Sequence, residues 1–340
     1  MLYKTIGESK VPVIGLGTGG IKDERIFKQA LDLGYELFDT AESYDNEVLL
    51  GRAIKGKRDK VLISSKFSPE NNGYDDVIKS CESSLKRLGT DYIDFYSMHY
   101  LNPGISIRES IQALYDLKEQ GKIKNYGVCN VTHKQVETVD IHLIQNEYSL
   151  YERSTDVLGH CEKHNILFMA YSPLKDLYSL PKDGMLWLQE IATNHQKTLA
   201  KIALSWIVSH KNVIALPRAT NYKHLKENLE VIELSKEEIE KIDKLFPYEI
   251  SYIPVSEIKI TRTGKFPQTL EEAQNWSKWA IKPQDLDVSE IKPIRVEEIR
   301  SDYQYQGKYE LLEGGLSYWA WVLKRSDPIP CLVKRIEETV

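Results

Sequence analysis

The chain has 340 residues with 41% hydrophobic and 28% charged side chains and a net charge of −5 at pH 7, a composition that fits a soluble globular protein of one large domain or two. The acidic balance speaks against a chain whose main partner is nucleic acid or an anionic membrane, and no apolar run reaches the ~20 residues that span a bilayer. Four scattered cysteines without paired metal spacing (Cys81, Cys129, Cys161, Cys331), and no leader-like pattern after Met1, predict a reduced, cytoplasmic protein.

Leu2–Val13 reads as a short hairpin, and strand-like and helix-like segments then alternate. Residues 24–31 have helical periodicity, Tyr35–Phe38 reads as a buried strand, and helices are predicted over Asn46–Ile54, Asp75–Leu88 and Arg108–Gln120. The last two stop at Gly89 and Gly121, the residue type that ends a helix most easily. Strands follow at Val61–Ser65, Ile93–Met98 and Tyr126–Cys129, then at Leu143–Tyr148, Ile166–Ala170 and Val213–Leu216. Helices are expected over Val157–Lys163, Leu186–Ser209 and His224–Val231, and a capping-box start at Ser235 opens one running to Phe246. With Val13–Gly17 this makes about eight strand–helix units over roughly 230 residues, the size of a (β/α)8 TIM barrel.

Two glycine and tyrosine patterns invite other readings. Gly15-Leu16-Gly17-Thr18-Gly19-Gly20 satisfies G-x-G-x-x-G with Asp39 downstream, as a dinucleotide-binding Rossmann fold would. The last glycine should open the crossover helix, yet Ile21-Lys22-Asp23 intervene, and Asp23 is placed to cap a helix that begins later. We read these glycines as a tight turn at the mouth of the first strand. Tyr171 and Lys175 have the spacing of a helical Tyr-x-x-x-Lys pair, but Pro173 between them forbids that helix.

The polar residues at the strand ends carry the chemistry. Asp39 ends one apolar run, Lys66 the next and His99 a third, with Tyr44 just beyond the first; in a parallel barrel those ends converge on one face. A phenol, an ammonium, a carboxylate and an imidazole suit the reduction of a carbonyl group. Tyr44 supplies the proton, Lys66 is expected to lower its pKa, Asp39 holds Lys66, and His99 donates to the carbonyl oxygen. In this order and at these places the four resemble the catalytic tetrad of the aldo-keto reductases. Residues 34–47 and 121–130, Gln145-Asn146-Glu147-Tyr148 and Tyr171-Ser172-Pro173-Leu174 carry the resemblance over residues 1 to about 245. Asp45 stands where that family has a glycine.

The resemblance implies a TIM barrel that reduces an aldehyde or ketone to an alcohol with NADPH, a small-molecule carbonyl compound being its partner. It implies cofactor contacts at Gly17, Thr18, Asp39, Cys129, Asn130, Gln145, Tyr171, Ser172 and Leu174, and at Arg218, Ala219, Thr220, His224, Glu227 and Asn228. Cys129 replaces the family's serine, so Asn130 and Gln145 are expected to carry more of the nicotinamide amide contact. Arg218 can fork onto a phosphate, whereas His224 stands in place of an arginine; NADP is expected, with NAD left open. No metal is called for.

The strand–helix rhythm ends near residue 250, and four of the six tryptophans lie in the last 90 residues. We divide the chain into a barrel, 1–248, and a small α/β accessory domain, 249–340. The accessory segment resembles the ParB/sulfiredoxin-like fold through residues 255–258, 292–296, 309–315 and 327–333. The phosphate-binding Gly-x-x-Arg box of that fold lacks its arginine at Gly315-Leu316-Ser317-Tyr318, and residues 251–340 hold 13 basic and 14 acidic side chains, no footprint for DNA. A docking or assembly role, including self-association, is the first expectation. A rival is a barrel serving as redox-cofactor sensor for a nucleotide- or DNA-associated ParB-like module.

Overall fold

The computed structural model describes residues 2–6, 9–179, 182–244, 248–259, 267, 269–275, 294–298, 309–313, 318–319, 322–323 and 329–334. The chain forms two compact units, Met1–Phe246 and Pro247–Val340.

The first unit opens with an antiparallel hairpin, β1 (Tyr3–Ile6) and β2 (Ser9–Pro12). Eight parallel strands follow: β3 (Leu16–Gly17), β4 (Leu37–Asp39), β5 (Leu62–Phe67), β6 (Ile93–Met98), β7 (Ile123–Cys129), β8 (Leu143–Glu147), β9 (Leu167–Tyr171) and β10 (Val213–Leu216). Each pairs with the next in chain order, and Ile14 bridges Ala215 in parallel to close the ring. Gly15 N donates to Ala215 O and Ala215 N to Val13 O, both at 2.9 Å. A side chain at Gly17 would sit 2.7 Å from Leu216 O, so the closing seam requires glycine there. The strands are buried on both faces, which is why β6 reads as an uninterrupted buried run. Leu37, Phe95, Leu143 and Ile214, from alternate strands, join Val11 of the hairpin in one fully buried cluster, the layered filling of a barrel.

The helices are α1 (Glu24–Asp32), α2 (Glu47–Ala53), α3 (Tyr74–Leu88), α4 (Ile107–Glu119), α5 (His133–Val136), α6 (Thr155–His164), α7 (Lys182–Asn194), α8 (Leu199–Ser209), α9 (Tyr222–Asn228) and α10 (Lys236–Asp243). Asp23 caps α1 by accepting from Arg25 N, and Gly20 takes a φ of 75° in the turn before it. The glycine segment is therefore a turn, and the closed barrel excludes the Rossmann alternative. The long helix expected over Leu186–Ser209 is two helices. Gln196 adopts a left-handed φ of 52°, and Thr198 accepts from Lys201 N to start α8 afresh. Strand β5 runs two residues past the expected Ser65, so Lys66 lies within it. Helix α9 begins at Tyr222, where Asn221 caps it.

In the second unit, β11 (Tyr248–Ile253), β12 (Ile258–Lys259), β13 (Ile294–Glu298), β14 (Tyr309–Glu313) and β15 (Ile329–Lys334) form a mixed sheet of order β11-β15-β13-β14-β12, with helix α11 (Leu270–Gln274). Tyr318 and Trp319 are buried and meet edge to face with ring centroids 5.1 Å apart. Trp319 Nε1 donates to Pro267 O at 3.2 Å. These two aromatics are core side chains. Trp276, Trp279, Trp321 and the Gly315-Leu316-Ser317 part of the proposed box lie outside the described residues.

Candidate active site

Asp39 is the last residue of β4, Lys66 the fifth of β5, and His99 follows the last residue of β6. Tyr44 ends a 3-10 turn, Glu42–Tyr44, that leaves β4. Asp45 stops that turn at φ 51°, in the left-handed region. A glycine suits such a position, and aspartate is among the few residues that also tolerate it, so the substitution seen in the sequence leaves the turn intact.

Lys66 Nζ is fully buried, 2.8 Å from each oxygen of Asp39 and 2.7 Å from Thr40 O. Asp39 Oδ1 also accepts from Ser64 Oγ and from Gln145 Nε2, both at 2.8 Å. Nζ lies 5.3 Å from the centroid of the Tyr44 ring, and the Tyr44 and His99 rings meet edge to face at 5.6 Å. The four residues expected from the sequence are thus gathered on one face.

Their protonation follows from burial and from this one ion pair. Burial, the largest influence on Lys66, favours the neutral amine, but Asp39 and Tyr44 outweigh it and hold the ammonium above its ordinary pKa. Burial raises the Tyr44 phenol; Lys66 pulls it down without prevailing. This corrects the expectation of a lowered phenol: Tyr44 rests protonated at neutral pH. His99 is pushed down to about 4, by burial first and by Lys66 second, so its imidazole is neutral at pH 7. Burial raises the Cys129 thiol to about 12.

A cavity of about 290 Å3 lies over these groups, lined by Gly17, Thr18, Gly19, Asp39, Tyr44, His99, Tyr100, Asn130, Gln145, Tyr171, Ser172, Leu216 and Arg218. Gly17, Thr18, Asp39, Asn130, Gln145, Tyr171, Ser172 and Arg218, of the suggested cofactor residues, line this cavity. Thr18 is fully buried, and its hydroxyl donates to Asp39 O. Asn130, at φ 60°, donates through Nδ2 to His99 O at 2.9 Å, and its Oδ1 accepts from the Tyr171 hydroxyl at 2.6 Å. Gln145 Nε2 donates to Asp39 Oδ1 and, at 3.7 Å, to Met169 Sδ, so its oxygen is left for the amide contact expected of it. Arg218 is exposed, and its guanidinium lies 3.7 Å from where a Cβ on Gly20 would be. Cys129, Leu174, Ala219, Thr220, His224, Glu227 and Asn228 do not line the cavity. Thr220 and His224 are exposed, and Asn228 is on the buried side of α9.

Sequence reading passed over three residues that shape this site. Asn46 is buried and donates to Thr18 O at 2.9 Å and Ile21 O at 3.1 Å, while its Oδ1 accepts from Thr40 at 2.6 Å. It ties the turn after β3 to the end of β4, a role with no local signal. Ser64 looks like any residue of an apolar strand, yet it holds Asp39. Tyr100 stacks on His99 with centroids 5.0 Å apart; its place beside a strand-end histidine was the available cue.

The chain is similar to known reductases in sequence and in fold. The methylglyoxal reductase YeaE of Escherichia coli (strain K12) is 33% identical over 266 residues, 71% of this chain and 93% of that protein. The methylglyoxal reductase DkgB of Salmonella typhi is 33% identical over 234 residues, 64% of this chain and 86% of that protein. Among solved structures, the thermostable aldo-keto reductase Tm1743, in complex with the inhibitor epalrestat, superimposes with a TM-score of 0.69 at 36% identity, covering 72% of this chain and 100% of that one. An aldo-keto reductase from Klebsiella pneumoniae, in complex with NADPH, gives 0.64 at 32% identity, covering 73% and 96%. The model of the Aldo/keto reductase family matches residues 14–246. A closed eight-stranded barrel, a tyrosine, lysine, aspartate and histidine at its strand ends, and a family match across the whole ring have one reading: the chain belongs to the aldo/keto reductase family and is a carbonyl-reducing oxidoreductase.

Proposed function

We propose that the chain reduces a small aldehyde or ketone, of the 2-oxoaldehyde class that methylglyoxal represents, at the cavity between Tyr44 and Arg218, using NADPH. The observation that carries this reading is a protonated phenol and a neutral imidazole that meet edge to face in the cavity lining, with the fully buried ammonium of Lys66 5.3 Å from the phenol's ring centroid. The wall also fits the cofactor. Gly17, Thr18 and Gly19 line the cavity beside Arg218, which forms no ion pair among the described residues and can hold a phosphate. NADPH, when bound, supplies the hydride that reduces the carbonyl carbon.

The chain's own residues supply the rest. His99, neutral at pH 7, offers one N–H to the carbonyl oxygen and polarises it. Tyr44 gives its phenolic proton to that oxygen as the new C–H bond forms, so the carbonyl ends as an alcohol and the tyrosine as a phenolate. Lys66 stabilises the phenolate until water returns the proton. Asp39 keeps Lys66 charged, and Gln145 and Ser64 keep Asp39 in place. Tyr100, stacked on His99, narrows the mouth toward small substrates. A sensor that binds cofactor without turnover would not need a proton donor set against a charged lysine.

For the second unit we propose an accessory role in assembly. Tyr318 and Trp319 are core side chains, and the unit lies beyond the family match. The buried thiols of Cys81, Cys129 and Cys161 suit the reducing cytoplasm, where we place the protein. Steady-state oxidation of NADPH against a panel of small aldehydes and 2-oxoaldehydes tests the catalytic reading. The mass in solution of the full chain, compared with that of a chain ended at residue 246, tests the assembly role.

A further inference from the structure

We propose that a surface depression on the barrel wall, away from the cavity described above, is a binding site for a divalent transition metal, built on a two-imidazole chelate. Helix α6 carries His160 and His164 four residues apart, which puts both rings on one helix face. Their centroids lie 4.5 Å apart, and the ring of His133, from α5, lies 5.6 Å from that of His160. All three line a depression of about 560 Å3 together with Glu137, Asp156 and Lys163.

The other five histidines are engaged elsewhere: His99 in the active-site cavity, His142 with Lys118, His195 with Glu238, His210 with Tyr148 and His224 with Asn221. His160 and His164, by contrast, have no hydrogen-bond partner among the described residues. Two carboxylates against one ammonium leave the depression with a net charge of −1, which attracts a cation. Imidazole nitrogen selects Zn2+, Ni2+ or Cu2+ over Mg2+ and Ca2+, which take oxygen ligands. Among the described residues no group of three ligand side chains is already arranged to enclose a metal. The proposed site is open, with His160 and His164 as its two nitrogen ligands and water in the remaining positions; His133 Nε2 lies 3.8 Å from Glu137 Oε2 and would have to leave that carboxylate to join it. Once His133 joins, the metal links α5 to α6, and so stabilises the folded barrel by mass action. The four cysteines are all buried and offer no competing surface thiol.

The test is titration of the full chain with ZnCl2 by calorimetry, with Cu2+ paramagnetic resonance as a check on the donor atoms. One saturable Zn2+ per chain is expected, with nitrogen splitting in the Cu2+ spectrum, a rise in Tm with added Zn2+, and no response to Mg2+ or Ca2+. His160→Ala and His164→Ala should each weaken binding by roughly tenfold or more, and His133→Ala should weaken it less. All three variants should retain metal-free carbonyl reduction, which shows that they fold. Zn2+ uptake by the His160→Ala/His164→Ala double variant equal to that of the wild type overturns the proposal, as does no saturable uptake by the wild type.

Discussion

Gln145, on β8, donates to Asp39 Oδ1, on β4, across the barrel at 2.8 Å, the same oxygen that Lys66 grips. The glutamine is therefore part of the support of the ion pair before it touches any ligand. Replacing it with leucine should remove one hydrogen bond to a charged group, about 1.5–3 kcal/mol. Urea unfolding at pH 7 checks this. Unchanged stability would mean that Gln145 serves the ligand alone.

Asp39→Asn should cost more. Lys66 is fully buried, and without the carboxylate its charge would be uncompensated, a loss of about 3–5 kcal/mol. The deficit should shrink as pH rises toward the ordinary lysine value, because the neutral amine tolerates burial. Unfolding curves at several pH values from neutral upward would reveal this. A pH-independent deficit would mean that Lys66 keeps its charge in the variant and that the loss has another cause.

Much of this was legible along the chain. Parallel strands buried on both faces announce themselves as apolar runs, and a charged residue at the end of each such run is conspicuous, so Asp39, Lys66 and His99 could be found by spacing. What pairs across the barrel could not be: Gln145 lies 106 residues from Asp39, and nothing near either residue encodes the contact. The break between α7 and α8 was hidden because His195-Gln196-Lys197 contains neither glycine nor proline, and Gln196 takes the left-handed turn instead. The four-residue α5 is too short to show a period. The direction of the Tyr44 shift was misjudged because the sequence shows the neighbouring charge but not the depth of burial.

His99 links stability to acid. Its folded pKa is depressed to about 4 from an ordinary 6.5, so between those values the unfolded chain binds a proton that the folded chain does not. Stability should therefore fall as pH drops through this window, by at most about 3 kcal/mol from this residue. His99→Asn should flatten the slope between pH 6.5 and pH 4, as read by urea midpoints. An identical slope in variant and wild type would assign the acid sensitivity to other groups, such as the half-buried His142 and His210, whose imidazoles burial also pushes down.

Arg218 is exposed on the cavity wall. If it grips the extra phosphate of NADPH, Arg218→Ala should weaken NADPH by about 1.5–3 kcal/mol and NADH far less. Dissociation constants for both cofactors, measured by fluorescence, decide it. Equal weakening would place the arginine elsewhere on the cofactor.

Tyr44→Phe removes the proton donor and little else, since the ring can stay against His99. A single-turnover measurement of NADPH oxidation by methylglyoxal, on variant and wild type at saturating cofactor, is the most direct test of the mechanism. The rate should fall by about 10²–10⁴-fold, with the NADPH dissociation constant unchanged. A variant that turns over at the wild-type rate would show that the proton comes from another group.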